Sequence, residues 1–81
     1  MFRLVTSAQS LGSVIRDERK KQGLTQIVLG EMTGLNQTTI SLIEKGKPTV
    51  QLQTLLHLLA ALNLKLQIGN QEQIEPLADR W

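Results

Sequence analysis

Residues 25–46 constrain the fold most, because two helix starts and one helix stop fall within this single short stretch. Thr25 is a good N-cap, and Gln26 follows it as the first helical residue. Gly34 predicts the end of that helix, since glycine tolerates the left-handed backbone conformation, and Asn36 then predicts the cap of a second helix. Apolar residues recur three apart in both helices: Leu29 and Met32, then Ile40 and Ile43. The pattern predicts two short helices joined by a tight turn.

The exposed face of the second helix is short and polar. It carries Gln37, Thr38, Ser41 and Lys45, and Asn36 and Thr39 lie at the start of the same helix. An isolated helix of this kind would be ordinary solvent-exposed surface. Behind a first helix and a tight turn, the same side chains suit hydrogen bonding to base edges in a DNA major groove. Gln26 begins the first helix, where an amide side chain and free backbone N–H groups are suited to hold a phosphate.

The stretch resembles the helix-turn-helix of the lambda-repressor/Cro/XRE family. The matching residues are Gln26, Leu29, Gly34, Leu35, Ile40, Ser41, Ile43, Glu44 and Gly46. The resemblance implies an all-α, lambda-repressor-like four-helix domain. It also implies that Lys45 and Lys47 contact phosphates and that Arg19 pairs with Glu44 across two helices. Gly30 departs from the family, which usually has Ala there, and should cost roughly 1 kcal/mol of helix propensity.

The first helix should run from about Ser7 to Gln22. Thr6 with Gln9 three residues later forms the pattern of a capping box, and Gly23 should end the helix. A fourth helix is expected at about 51–62. It carries more leucine than one inward stripe requires, so part of it is expected to face a second subunit.

Residues 64–68 alternate apolar and polar, which predicts a short C-terminal β-strand. A lone strand of this length is not stable in water. Its partner would be residues 2–5 or the same strand of a second subunit. We therefore expect a domain at 7–69, with the helix-turn-helix at about 25–45, and a flexible acidic tail at 70–81.

The composition of the chain limits the kinds of fold and function that it can have. The chain has 81 residues and no cysteine, which predicts one small domain without a disulfide framework or thiolate metal site. No apolar run approaches the roughly 20 residues that span a bilayer, so a cytoplasmic protein without membrane contact is expected. His57 is the only histidine, and no nucleophile–base pair has a recognisable spacing. We expect neither an enzyme nor a cofactor or metal site.

Charge is unevenly distributed. Residues 70–81 hold three acids and one arginine, a net −2, whereas residues 1–69 hold eight Lys/Arg and four acids, a net +4. A basic body with an acidic tail fits a DNA-facing domain with a separate partner segment.

The order of the parts is also similar to the HipB antitoxins: a helix-turn-helix, one alternating strand, and an acidic tail that ends in Trp81. This resemblance implies a homodimer in which Leu64, Leu66 and Ile68 lie at the interface and the C-terminal strands pair. It implies binding to a palindromic operator, autorepression, and a complex with a HipA-type serine/threonine kinase toxin, for which Trp81 is the candidate anchor. Two alternatives stay open: a free-standing or phage-type Cro/C1 repressor, and an adaptor that uses the fold for protein binding.

Overall fold

Four α-helices make up most of the described chain. The computed structural model describes residues 2–47 and 50–70. The helices are α1 (Ala8–Lys21), α2 (Gln26–Thr33), α3 (Gln37–Glu44) and α4 (Leu52–Ala61). The predicted four-helix domain is confirmed, and each predicted helix boundary lies within about one residue of the observed one. None of the helices in these two ranges is long and apolar enough to cross a membrane.

The cap of α1 lies one residue later than predicted. Ser7, not Thr6, is the N-cap, and its hydroxyl accepts a hydrogen bond from the Ser10 backbone N–H at 3.0 Å. The Ser10 hydroxyl in turn accepts from the Ser7 backbone N–H at 3.0 Å. The prediction that Thr6 and Gln9 form the capping box is therefore wrong, because a short serine at the third helical position closes the same reciprocal pair.

The core is aliphatic and draws on all four helices. Its buried residues are Ile15, Leu29, Ile40, Ile43, Leu58, Leu59 and Leu62. Met32 does not join them, although it lies three residues after the fully buried Leu29, and it is 48% exposed. Side chains three residues apart differ by about 60° in direction around a helix. The buried face of α2 is narrow and holds only Leu29 and Gly30, so Met32 lies outside it.

The backbone of α1 lies directly against the end of α3. A Cβ atom added at Gly12 would lie 2.4 Å from the Ile43 carbonyl oxygen and 2.7 Å from that of Glu44. After α3, Gly46 has φ +78°, and a Cβ there would lie 2.6 Å from the Gln9 Cα. These two contacts leave no room for side chains, so they fix the position of α3 against α1.

Gly30 has a second role besides its effect on helix propensity. A Cβ at this position would lie 2.4 Å from the Leu35 carbonyl oxygen in the turn between α2 and α3. The expected gain of an alanine there is therefore offset by the need to displace the turn. The glycine permits the close approach of α2 to the start of α3.

The chain after α4 leaves apolar side chains at the surface. Leu64 packs against the core, whereas Leu66 is 49% and Ile68 91% exposed. Neither segment 2–5 nor segment 64–68 forms a strand in the part of the chain that is described, so these two segments do not pair within one subunit. Pairing across a homodimer remains a prediction. The predicted acidic tail beyond residue 70, with Trp81, lies outside the described residues, as do Pro48 and Thr49.

Candidate nucleic-acid interface

Two capped helices meet at a glycine turn, as the sequence predicts. The Thr25 hydroxyl accepts a hydrogen bond from the Val28 backbone N–H at 3.0 Å. The Asn36 side chain accepts from the Thr39 backbone N–H at 2.8 Å. Between them, Gly34 adopts the left-handed conformation with φ +76° and donates its N–H to the Gly30 carbonyl. These caps start α2 and α3 at Gln26 and Gln37, which brings two glutamines to neighbouring helix starts.

A buried ion pair supports this arrangement from behind. Arg19 Nε donates to Glu44 Oε2 at 2.7 Å, and Arg19 Nη2 donates to Glu44 Oε1 at 3.1 Å. The remaining guanidinium nitrogen, Nη1, donates to the Leu24 carbonyl at 2.8 Å. The two side chains are 10% and 3% exposed. The pair therefore ties α1, the loop before α2 and the end of α3 into one unit.

Glu44 also orients the two glutamines. Its Oε1 accepts a hydrogen bond from Gln26 Nε2 at 3.1 Å, and Gln26 Oε1 accepts from Gln37 Nε2 at 3.4 Å. A carboxylate only accepts hydrogen bonds, so Gln26 must turn its NH₂ group inward and its oxygen towards Gln37. Gln37 then keeps one N–H donor and its carbonyl oxygen for a partner in solution. That pair of groups matches the N7 acceptor and N6 donor of an adenine in the major groove.

The other predicted contact residues lie around this pair. Asn36, Gln37, Thr38, Lys45 and Lys47 are exposed, and Gln26, Thr39 and Ser41 are half-buried. Thr38, Ser41 and Lys45 share the outward side of α3 with Gln37, whereas Thr39 lies on its flank. The surface thus combines amide, hydroxyl and ammonium groups and carries no acidic side chain among the named contacts.

Sequence reasoning assigned Gln26 to a phosphate and missed its bonds to Glu44 and Gln37. The available signal was the presence of a glutamine directly after both caps. The contacts of Gly12 were missed as well. The signal there was a glycine inside a helix, which costs about 1 kcal/mol and indicates a close packing contact.

Outside this surface, the side chains that most often bind metal ions do not gather at one place in the described residues. His57 is exposed on α4. Residues 2–47 and 50–70 contain no group of three or more His, Cys, Asp or Glu side chains that would hold a metal ion.

Comparison with known proteins identifies the family. The helix-turn-helix family HTH_3 matches residues 15–68. The ImmF control region 10 kDa protein of Bacillus phage phi105 is 30% identical over 67 residues, which is 83% of this chain and 74% of that protein. The HTH-type transcriptional regulator y4mF of Sinorhizobium fredii is 31% identical over 68 residues, 84% of this chain and 90% of that protein.

Solved structures agree with this assignment. A chain in the HipA-HipB-O2-O3 complex superposes with a TM-score of 0.77 at 27% identity, and the match covers 86% of this chain and 99% of that one. The chain belongs to the helix-turn-helix family of DNA-binding transcriptional regulators, within its XRE branch, and is HipB-like in fold.

Proposed function

We propose that this protein is a HipB-type antitoxin that binds a palindromic operator as a homodimer, represses its own operon, and forms a complex with a HipA-type kinase toxin. The observation that carries this proposal is the similarity to HipB, which extends over 99% of the protein chain in HipB–operator complexes and thus beyond the helix-turn-helix that many repressors share.

Base reading is proposed for the outward side of α3. Gln37 is exposed and held by Gln26 at 3.4 Å, so its amide is oriented before DNA arrives. An oriented side chain loses less conformational entropy on binding. Thr38 and Ser41 lie beside it, where their hydroxyl groups reach bases or phosphates. Lys45 and Lys47 follow at the end of α3 and are proposed to bind the phosphate backbone.

Dimerisation is proposed through the C-terminal half of the chain. Four large apolar side chains of α4 and of the described residues that follow it are exposed in a single subunit: Leu52 at 66%, Leu56 at 42%, Leu66 at 49% and Ile68 at 91%. A surface with several large apolar side chains in one region is typical of an interface. Two helix-turn-helix units joined in this way would reach two half-sites of a palindrome.

Replacing Gln37 with alanine should weaken operator binding by roughly 1–3 kcal/mol and relax base preference at one position in each half-site. The loss follows because the oriented donor and acceptor of the amide disappear while the phosphate contacts stay. Titration of operator and random duplexes with the variant measures both effects. Equal losses on the two duplexes would make Gln37 a positioning residue and not a reader of sequence.

Removing residues 73–81 should leave operator affinity nearly unchanged and weaken the complex with a HipA-type kinase. The acidic tail is repelled by phosphates, and burial of the Trp81 indole in a partner pocket would contribute on the order of 2 kcal/mol, about 30-fold in affinity. Calorimetry with a candidate HipA-type kinase measures this, with Trp81→Ala as the minimal variant. Equal affinity for full-length and shortened chains would remove Trp81 from the interface.

The second candidate is a phage-type repressor without a toxin. The similarity to the phage phi105 control-region protein favours it. The neighbouring gene separates the two, because only an antitoxin requires an adjacent kinase. An adaptor function without DNA is a third possibility, and a steep salt dependence of DNA binding would exclude it.

A further inference from the structure

We propose that one side of α1 extends the DNA-binding surface by contacting the sugar-phosphate backbone. This side, the α1 flank, consists of Gln9, Ser13, Arg16 and Lys20. The inference rests on the proposed DNA binding and adds a contact surface outside the helix-turn-helix.

The four residues lie on one face of the helix. They are separated by steps of four, three and four residues, which bring side chains to the same side of an α-helix. All four are exposed. Gly12, at the edge of this face, lies against the carbonyl groups of Ile43 and Glu44 at the end of α3. The α1 flank therefore borders the end of the helix that is proposed to read bases.

The start of the α1 flank meets the loop after α3, which is proposed to bind phosphates. At its start, the Gln9 backbone touches Gly46, which lies between Lys45 and Lys47 in the chain. At its end, Lys20 follows Arg19, whose guanidinium binds Glu44 and the Leu24 carbonyl in the loop before α2. The α1 flank thus begins at the loop after α3 and runs along α1 away from that loop.

The charges of α1 are divided between its two sides. Asp17 forms an ion pair with Arg3 at 3.1 Å. Glu18 accepts a hydrogen bond from the Gln22 side chain at 3.3 Å. Neither of these two acids belongs to the α1 flank. Arg16 and Lys20 form no ion pair with any residue in the described ranges. The two charged residues of the α1 flank are therefore both cationic, and its other two residues, Gln9 and Ser13, are neutral.

This arrangement is complementary to a polyanion. Lys20 lies in the last turn of α1, where a positive charge interacts favourably with the helix dipole, but neither Arg16 nor Lys20 has an acidic partner in the described ranges. Contact of such a charge with a DNA phosphate releases bound counterions. DNA is the occupant that the position favours, because the Gln9 end of the α1 flank lies against Gly46, between the two lysines that are proposed to bind phosphates.

The test compares three single variants that each remove one positive charge. Arg16→Gln and Lys20→Gln should each flatten the plot of log affinity against log salt by about 0.9. They should weaken binding to operator and random duplexes by the same factor, because phosphate contacts carry no sequence information.

Lys21→Gln is the matched control, since Lys21 is exposed on the same turn of α1 but lies outside the flank. It should leave the slope unchanged. Thermal unfolding of all three should match the wild type, because the substitutions are at the surface.

The inference would be overturned if the Arg16 and Lys20 variants had the same salt slope as Lys21→Gln. The proposed DNA binding would still stand if the double variant Lys45→Gln/Lys47→Gln flattened the plot. A wild-type chain whose DNA binding is absent or independent of salt would overturn both together.

Discussion

Replacement of Glu44 by alanine should lower the free energy of unfolding by about 3–5 kcal/mol, because it leaves the Arg19 guanidinium buried without a counterion. Arg19 is only 8% exposed and makes two of its three hydrogen bonds with this carboxylate. A domain of this size has a total stability of about 4–12 kcal/mol. The variant should therefore lose a large fraction of its stability, and urea unfolding followed by circular dichroism measures the loss.

Asp17→Ala provides the matched control. It also removes a carboxylate from an ion pair with arginine on α1, at a similar distance of 3.1 Å. The side chains of Arg3 and Asp17 are 44% and 58% exposed, so solvent screens the pair and its loss should cost no more than about 1 kcal/mol. Similar small losses for both variants would show that water reaches Arg19 easily once Glu44 is gone.

Leu66→Pro should convert the proposed homodimer to a monomer and reduce operator affinity by about 10²–10⁴-fold, because two half-sites are no longer bound by one particle. Proline removes a backbone donor from the predicted strand and is rarely tolerated inside a sheet. Leu66 is 49% exposed in the single subunit, so the four-helix domain itself should keep its fold. Sedimentation gives the mass, and operator titration gives the affinity.

Leu4→Pro tests the other extended segment. Leu4 is 57% exposed and lies before α1, in the segment that the sequence offered as an alternative strand partner. If the C-terminal strands pair with each other, this variant should remain a dimer. A dimer that survives Leu66→Pro would place the interface elsewhere, most simply on the exposed leucines of α4.

Local signals in the sequence were sufficient for the helices and for most caps. Thr25, Gly34 and Asn36 each act within three or four residues of themselves, so their roles follow from residue type and spacing. The cap of α1 was misplaced because Thr6 and Ser7 are both good N-caps, and Ser10 decides between them through a hydroxyl bond that propensity does not reveal.

Contacts between distant parts of the chain were harder to predict. The position of Gly12 against Ile43 depends on the packing angle of α1 and α3, which no spacing rule supplies. The bond between Gln26 and Glu44 joins residues 18 positions apart. The family resemblance implied the pairing of Arg19 with Glu44, but not that Glu44 would also set the amide orientation of the two glutamines. The subunit interface depends on a second chain, so the predicted strand pairing is still to be tested.

The backbone contact at Gly12 has a consequence for how such a regulator changes its target. Because Gly12 of α1 lies against carbonyl groups of α3 and Arg19 of α1 binds the buried Glu44 side chain, the placement of α3 does not depend on the residues on its outward side. Gln37, Thr38 and Ser41 are thus free to vary without loosening the frame that presents them. A duplicated gene can therefore acquire a new operator through a few substitutions on the outward side of α3, while Gly12 and the buried ion pair stay unchanged.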